Sequence, residues 1–200
     1  LFDHVKPERD ENDREQYRLN WWKFAEPRPR LRSAIASLRR YIVTSETATE
    51  RFFKFIPSAS RLVDGSVIAV ASDDPYILGV LSSTAHSVWA LRAGGRMGSG
   101  DDPRYQNETC FDPFPFPPCG AEGQQRVRSF ARKLDRLRRR VQAKHPELTL
   151  TSLYTTRVAM REAEAQGKVL EPKVRLIAEK GEVSLLSHYH AEIDRAVAKA

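Results

Sequence analysis

Residues 77–117 read ILGVLSSTAHSVWALRAGGRMGSGDDPRYQNETCFDPFPFP, and this stretch passes from an apolar run through a helical pattern to a Phe-Pro ending. The apolar residues 76–80 predict a strand. A hydroxyl side chain at Ser82 or Ser83 predicts the cap of the helix that follows, and Gly94-Gly95 predicts the end of that helix. The residues expected on its inward face are Ala85, Val88 and Trp89.

Short runs of β-branched and aromatic residues precede this stretch, separated by turn-forming residues. They predict strands at residues 41–44, 51–56 and 67–71. Asp73-Asp74-Pro75 predicts a turn, and residues 98–103 predict a loop. A helix is predicted after Pro29, because apolar side chains recur there with helical spacing at Leu31, Ala34, Ile35 and Leu38.

After Pro118 the pattern is helical only. A long helix is predicted to end before Pro146, and its apolar stripe consists of Val127, Phe130, Ala131, Leu134, Leu137 and Val141. Shorter helices are predicted at residues 152–165, at 172–180 and from Ser184, the last with Leu185, Tyr189, Ile193 and Ala196 inward. Phe and Pro alternate in residues 111–118, which predicts a stiff strap that packs the helical part against the preceding part. The predicted fold class is α+β, with a mixed sheet followed by a small antiparallel helical bundle.

The composition is that of a folded protein with an uneven basic charge. The chain has 200 residues, 40% of them hydrophobic, and a net charge of +7. Basic side chains are concentrated in residues 14–61 and 119–200, and such blocks favour a nucleic acid as partner. No apolar run is long enough to span a bilayer and no secretory pattern opens the chain, so we expect a cytoplasmic protein. Cys110 and Cys119 are expected to be free thiols.

Several short motifs in this sequence resemble the MmeI-like (type IIL) DNA methyltransferases. The motifs in the central stretch are Leu81-Ser82-Ser83, His86 with Trp89, Gly94-Gly95-Arg96, Asp102-Pro103-Arg104-Tyr105 and Phe114-Pro115-Phe116-Pro117. Others are Trp21-Trp22-Lys23-Phe24, Arg40-Tyr41-Ile42-Val43 and the run KHPELTLT at residues 144–151. Residues 1–15 are too polar to be buried, which predicts a linker. The resemblance implies a target-recognition domain at residues 16–118 and a C-terminal helical domain at 119–200.

The resemblance also implies a function, which is recognition of a specific double-stranded DNA sequence on behalf of an adenine methyltransferase. Members carry an Asn-Pro-Pro-Tyr-type catalytic motif and a glycine loop that binds S-adenosylmethionine, and this sequence has neither. Because it also begins with Leu1, we interpret the chain as a C-terminal piece without catalytic residues or cofactor. The expected partners are double-stranded DNA and the upstream methyltransferase domain. S-adenosylmethionine is expected to bind the full-length protein, which is also a candidate endonuclease.

The charged residues between Gly94 and Tyr105 are the candidates for contacts with DNA bases. Arginine can donate two hydrogen bonds to guanine, and a carboxylate can accept one from the amino group of cytosine. The candidates are Arg96, Asp101, Asp102 and Arg104. The residues alone favour the alternative of a flexible surface loop whose charges pair with one another, and it is the family resemblance that favours contacts with bases.

A second group of residues is expected at DNA phosphates. Ser82, Ser83 and His86 lie at a predicted helix start, where free N–H groups favour an anion, although a simple cap with a packed histidine is the alternative. The basic candidates are Arg28, Arg30, Arg32, Arg39, Arg51, Lys54, Arg136, Arg139 and Arg140, for which a solvated face or a surface that docks another domain are alternatives. No metal site is predicted, since His188 and His190 are two residues apart on a helix. A basic module that binds RNA or a protein is the alternative function.

Overall fold

The computed structural model describes residues 2–23, 28–58, 63–98 and 102–199, and the chain divides into units of residues 1–37 and 38–200. The first unit contains α1 (Phe2–Asp10), α2 (Glu15–Leu19) and α3 (Pro29–Ile35). Pro29 begins α3, as the sequence predicts, because the first turn of a helix does not need its N–H. No residue of α1 or α2 is buried. The division of the chain at residues 15 and 118 stays a prediction.

A three-stranded antiparallel sheet lies in the second unit. It consists of β1 (Arg40–Ser45), β2 (Lys54–Pro57) and β3 (Val67–Val70), with β1 in the centre. Ile42 pairs with Phe55 on one side and with Val70 on the other. The predicted strands at residues 41–44 and 67–71 are confirmed, while the one predicted at 51–56 begins only at Lys54.

A second pair of strands forms the β4–β5 hairpin, which consists of β4 (Gly95–Met97) and β5 (Asp102–Arg104). Arg96 lies opposite Pro103 in this antiparallel pair. The predicted loop at residues 98–103 is therefore wrong for its last two residues, which belong to β5. The predicted mixed sheet is also wrong, because every strand pair among the described residues is antiparallel. The α+β class is confirmed.

The apolar run before Ser82 is a helix, α4 (Pro75–Leu81), although a strand was predicted there. The side chain of Asp74 accepts a hydrogen bond from the Tyr76 N–H at 2.8 Å, and Pro75 occupies the first turn. Asp73-Asp74-Pro75 is thus a helix start and not an isolated turn. Six of the seven residues of α4 are buried, so apolar residues follow one another without a break. Such a run shows neither the alternation of a strand nor the spacing of an amphipathic helix, and its periodicity cannot distinguish the two.

The next helix, α5 (Thr84–Ala93), begins at the Ser83 cap and ends at Gly94, as predicted. Its inward face was predicted wrongly. His86 and Ala90 are the buried residues of α5, Trp89 is half-buried, and Val88 is 43% exposed. The prediction used apolar side chains only, whereas the residue that is most deeply buried on this helix is a histidine.

Four helices complete the described residues: α6 (Ala121–Lys144), α7 (Leu150–Gln166), α8 (Pro172–Lys180) and α9 (Val183–Ala198). They confirm the predicted helical part, and Gly167 ends α7 with a φ of 62°. The predicted stripe of α6 is buried or half-buried along its whole length. No helix among the described residues is long and apolar enough to cross a membrane.

The Phe-Pro strap at residues 111–118 and helix α6 connect the C-terminal helices to the preceding part of the second unit. Phe114 lies in a buried cluster with Val80 of α4, Val127 of α6 and Ala196 of α9, which confirms the predicted contact. A π-helical turn at Asn107–Phe111 precedes the strap. The two cysteines are free, as predicted, and both are buried.

Candidate nucleic-acid interface

The β4–β5 hairpin holds the predicted base-contacting residues that the structure describes. Arg96 and Asp102 are exposed, and Arg104 is half-buried. Within the described residues, the Arg96 guanidinium has no hydrogen bond or ion pair. Asp101 lies outside the described residues. Two of the three described candidates are therefore open to a ligand, and the third is engaged within the protein.

Arg104 forms an ion pair with Glu46, the residue that follows β1. The Nε and Nη2 atoms of Arg104 lie 2.7 and 2.6 Å from Oε1 of Glu46. The backbone of Glu46 is fixed as well, since its N–H donates to the Ser66 carbonyl and its own carbonyl accepts from Tyr105, both at 2.7 Å. Glu46 was not among the predicted site residues, because this glutamate stands alone in the sequence and belongs to no charge pattern.

Arg51 was predicted at a phosphate, and the structure places it between β1 and the hairpin. Its guanidinium donates to the carbonyls of Ser45 at 2.5 Å, Glu46 at 3.2 Å and Pro103 at 3.3 Å. It also lies 4.9 Å from the centre of the Tyr105 ring. Burial lowers the pKa of Arg51 from its ordinary value. With its donors engaged by backbone carbonyls, Arg51 holds the hairpin on the sheet.

A buried pair lies beneath the hairpin. His86 Nε2 is 2.9 Å from the Tyr105 hydroxyl, and both residues are fully buried. The His86 ring also contacts Phe114 edge-on, with 4.5 Å between ring centroids. Burial, followed by the charge of Arg51, lowers the pKa of His86 to about 4, so the imidazole is neutral at pH 7. Burial raises the pKa of Tyr105. The pair couples α5 to the residue that follows β5.

A carboxylate of the same chain binds the N–H group at the start of α5. Asp194 of α9 accepts hydrogen bonds from the Thr84 N–H at 2.7 Å and from the Thr84 hydroxyl at 2.8 Å. Ser83 caps the helix and donates to the Val80 carbonyl at 2.7 Å. An internal carboxylate therefore takes the position that suits an anion at a helix start.

This arrangement bears on three of the predicted phosphate contacts. Ser82 is 8% exposed, while Ser83 and His86 are fully buried. Side chains so deeply buried cannot reach a DNA backbone without unpacking the helix, so the burial argues against phosphate contacts by Ser82, Ser83 and His86. The alternative of a cap and a packed histidine describes the geometry.

A chain of buried polar groups connects the helical part to the junction of α4 and α5. Arg138 donates to the Phe53 carbonyl at 2.6 Å and to the Tyr154 hydroxyl. Tyr154 lies 2.7 Å from His190 Nε2, and His190 Nδ1 lies 3.0 Å from the Ser82 carbonyl. That carbonyl can only accept, so Nδ1 carries the proton and Nε2 accepts from Tyr154.

The charges in this chain follow from its burial. Burial is the largest cause that lowers the pKa of His190 well below its ordinary value, so the ring is neutral. Burial also lowers the pKa of Arg138 to about 9. Arg138 is only 2% exposed, whereas the neighbouring Arg139 and Arg140 of α6 are exposed.

The remaining basic candidates of the second unit differ in their partners. Arg39 and Arg136 are exposed, and the Arg136 Nε atom donates to a carbonyl of its own helix at 3.4 Å. Arg139 pairs with Asp135 at 2.7 Å and Arg140 with Glu182 at 2.6 Å, and both remain more than half exposed. Lys54 is half-buried and lines a cavity with Arg139 and Gln142.

The first unit carries three more candidates on or beside α3. Arg30 and Arg32 are exposed, and Arg28 is half-buried at the start of the helix. No group of three or more His, Cys, Asp or Glu side chains that could hold a metal ion exists among the residues that the structure describes.

The model of the MmeI target recognition domain family matches residues 5–118, which is more than half of the chain. The chain belongs to this family. A solved structure of the Type IIL restriction-modification enzyme MmeI in complex with DNA is similar, with a TM-score of 0.67 and 19% sequence identity. The match covers 99% of this chain and 22% of that enzyme, so the chain spans about a fifth of its length. No curated protein matches.

In this MmeI-family chain, several of the motif residues that carry the resemblance are buried, among them Ser83, His86 and Tyr105. Ser83 and His86 fix α5 beneath the β4–β5 hairpin. At Gly94, an added Cβ would lie 2.4 Å from the Arg104 carbonyl, so only glycine allows this approach of helix and hairpin. The motif side chains Arg96 and Asp102 are exposed and lie on the hairpin itself. In this region the family pattern thus combines a buried support with exposed charged side chains.

Proposed function

We propose that this chain recognises a specific sequence of double-stranded DNA as part of an adenine methyltransferase of the restriction-modification type. The observation that carries the proposal is the match of residues 5–118 to the MmeI target recognition domain family. The similar enzyme MmeI was solved in complex with DNA, which supports DNA as the ligand class.

The β4–β5 hairpin would contact the base edges. Arg96 is exposed and has no partner among the described residues, and the neighbouring carboxylate of Asp102 is exposed as well. An arginine suits guanine and a carboxylate suits the amino group of cytosine, so this pair of side chains can distinguish base pairs in the major groove. Arg104 and Asp101 complete the proposed set. The hairpin would be kept rigid by three residues that lie beneath it or beside it, namely Arg51, His86 and Tyr105.

Basic residues outside the hairpin would contact phosphates and hold the protein on the duplex. In the second unit these are Arg39 and Arg136, together with Arg139 and Arg140, whose ion pairs leave them accessible. Arg28, Arg30 and Arg32 are the proposed contacts in the first unit, and Lys54 completes the set. Phosphate contacts of this kind contribute affinity that falls with salt and carries no sequence information.

The methyl transfer itself belongs, in this proposal, to another part of the full-length protein. S-adenosylmethionine needs a glycine-rich turn between a strand and a helix. The two described connections that lead from a strand into a helix, residues 71–74 and 105–106, contain no glycine. The described residues therefore do not fit this cofactor, and no catalytic step is assigned to them.

The test of the proposal is selection of a randomised duplex library by the full-length protein, followed by sequencing of the bound fraction. We expect enrichment of one sequence, and we expect Arg96→Ala to relax the preference at one position of it. Arg175 is exposed on α8, and its guanidinium has no partner among the described residues, so Arg175→Gln serves as the control. If the wild-type protein enriches no sequence, or prefers single-stranded RNA, DNA recognition by this chain is excluded.

A further inference from the structure

Glu46 lies beside the hairpin, and its carboxylate is directed to a proposed base-contacting arginine. We propose that Glu46 is a positioning residue that orients the Arg104 guanidinium for a two-bond contact with a guanine. The inference rests on the proposed function, because it concerns how one side chain that contacts DNA is held in place.

The contact uses only one side of the guanidinium. Arg104 donates through Nε and Nη2 to the same oxygen of Glu46, at 2.7 and 2.6 Å. A guanidinium carries five N–H donors in one plane, so the edge formed by Nη1 and Nη2 is left over. That edge has the spacing that matches O6 and N7 of guanine. Within the described residues no other side chain bonds to the Arg104 guanidinium, and 40% of the side chain is exposed.

The Glu46 carboxylate can orient its partner because its own backbone is held on both sides. Its N–H donates to the Ser66 carbonyl, and its carbonyl accepts from Tyr105 and from Arg51. The next residue, Thr47, forms a β-bridge with Arg104. Ion pairs between mobile surface side chains contribute little, but here both backbones are fixed in register before any DNA binds. The plane of the guanidinium is therefore set in advance.

If the Glu46 carboxylate only held the hairpin in place, its loss would loosen the whole hairpin and not the Arg104 guanidinium alone. Arg51 already fastens the hairpin to β1 through three backbone carbonyls and through the Tyr105 ring. Arg51 bonds the carbonyl of Glu46 and not its carboxylate, so this fastening survives when the carboxylate is removed. Loss of the carboxylate should release the Arg104 guanidinium while the hairpin stays in place.

The experiment compares base preferences in the full-length protein, using the randomised duplex library and sequencing of bound DNA. Arg104→Ala should abolish a guanine preference at one position. Glu46→Ala and Glu46→Asp, which remove or withdraw the acceptor, should lower that same preference about tenfold and leave the other positions unchanged. Glu46→Gln keeps an oxygen that can accept from Arg104, so it should retain most of the preference. Arg51→Met is the control for a loosened hairpin and should lower the preference at several positions. Thermal unfolding identifies the variants that are folded.

The positioning role is contradicted if Arg104→Ala abolishes the preference while Glu46→Ala and Glu46→Asp leave it intact. It is also contradicted if Glu46→Ala lowers the preference at as many positions as Arg51→Met does, or if Arg104→Ala has no effect on any position. A wild-type protein without any sequence preference would instead overturn the proposed function itself, so the two failures are distinguishable.

Discussion

Asp194 and Thr84 are 110 residues apart in the sequence, and they form a two-bond contact that closes the N-terminus of α5. The carboxylate belongs to the last helix, whereas the helix that it caps supports the β4–β5 hairpin. Through this contact and the bond from His190 to the Ser82 carbonyl, the C-terminal helices hold the base of the proposed recognition surface. The C-terminal helices thus stabilise the start of α5.

Removal of the Asp194 carboxylate should destabilise the protein without changing its base preference. We expect Asp194→Ala to lower the free energy of unfolding by about 1 kcal/mol, the usual effect of a lost helix cap with its charge. Chemical denaturation checks this value. Thr84→Val should weaken the same contact, so the two changes together should cost less than their sum. Strict additivity would show that the pair does not interact.

Gly94 should not tolerate a side chain. A Cβ at this position would lie 2.4 Å from the Arg104 carbonyl and 2.7 Å from the Ala90 carbonyl, and backbone atoms cannot move aside cheaply. We expect Gly94→Ala to lower the free energy of unfolding by about 2 kcal/mol or more, within the range of overpacked sites. Gly120→Ala is the matched control, since no atom lies within 4 Å of its added Cβ. Equal melting temperatures for the two variants would disprove the close approach.

The stability of the protein should fall as the pH is lowered from 7 to 5.5. Burial lowers the pKa of His86 to about 4, so below pH 6.5 the unfolded chain binds a proton that the folded state does not. The loss from His86 is on the order of 1 kcal/mol at pH 5.5 and levels off below about pH 4. His190 acts in the same direction, because burial lowers its pKa as well.

Unfolding free energies of the wild-type protein and of His86→Phe, measured from pH 7 to 5.5, check this prediction. The variant should show a weaker pH dependence, even if its stability at pH 7 is lower. An identical slope in the two proteins would indicate that His86 is protonated equally in the folded and unfolded states.

The exposed Arg136 should contribute to binding without contributing to specificity. If it contacts one phosphate, Arg136→Gln lowers the slope of log K against log salt concentration by about 0.9, for cognate and random duplexes alike. Binding titrations at several salt concentrations measure this slope, with Arg175→Gln as the control that should leave it unchanged. A changed base preference in Arg136→Gln would mean that the helical part takes part in sequence recognition.

The elements that the sequence predicted well are those with a local signal. The stripe of α6, the Ser83 cap and the glycines that end α5 and α7 each follow from residues close in the chain. The run at Pro75–Leu81 was misassigned because it is buried nearly all round, and such a run has no periodicity to identify a helix.

The candidate site was predictable only in its exposed part. The residue types together with the family resemblance indicated the hairpin arginines and carboxylates, but the partners of these side chains are distant in sequence. Glu46 lies 58 residues from Arg104, and Arg138 lies 85 residues from the Phe53 carbonyl. The predictions for Arg51, Ser83 and His86 assumed free side chains, and only the tertiary structure shows which polar groups are already engaged inside the protein.

The central claim is that the β4–β5 hairpin of this chain distinguishes DNA sequences, and its most direct measurement is a ratio of affinities. The full-length protein is titrated with its enriched duplex and with a variant that differs at the base pair assigned to Arg96, at one fixed salt concentration. The account predicts that Arg96→Ala costs about 1–3 kcal/mol on the enriched duplex and much less on the variant, so the ratio falls towards one. If the ratio is unchanged in Arg96→Ala and also in Arg104→Ala, the hairpin does not contact the bases and the account is contradicted.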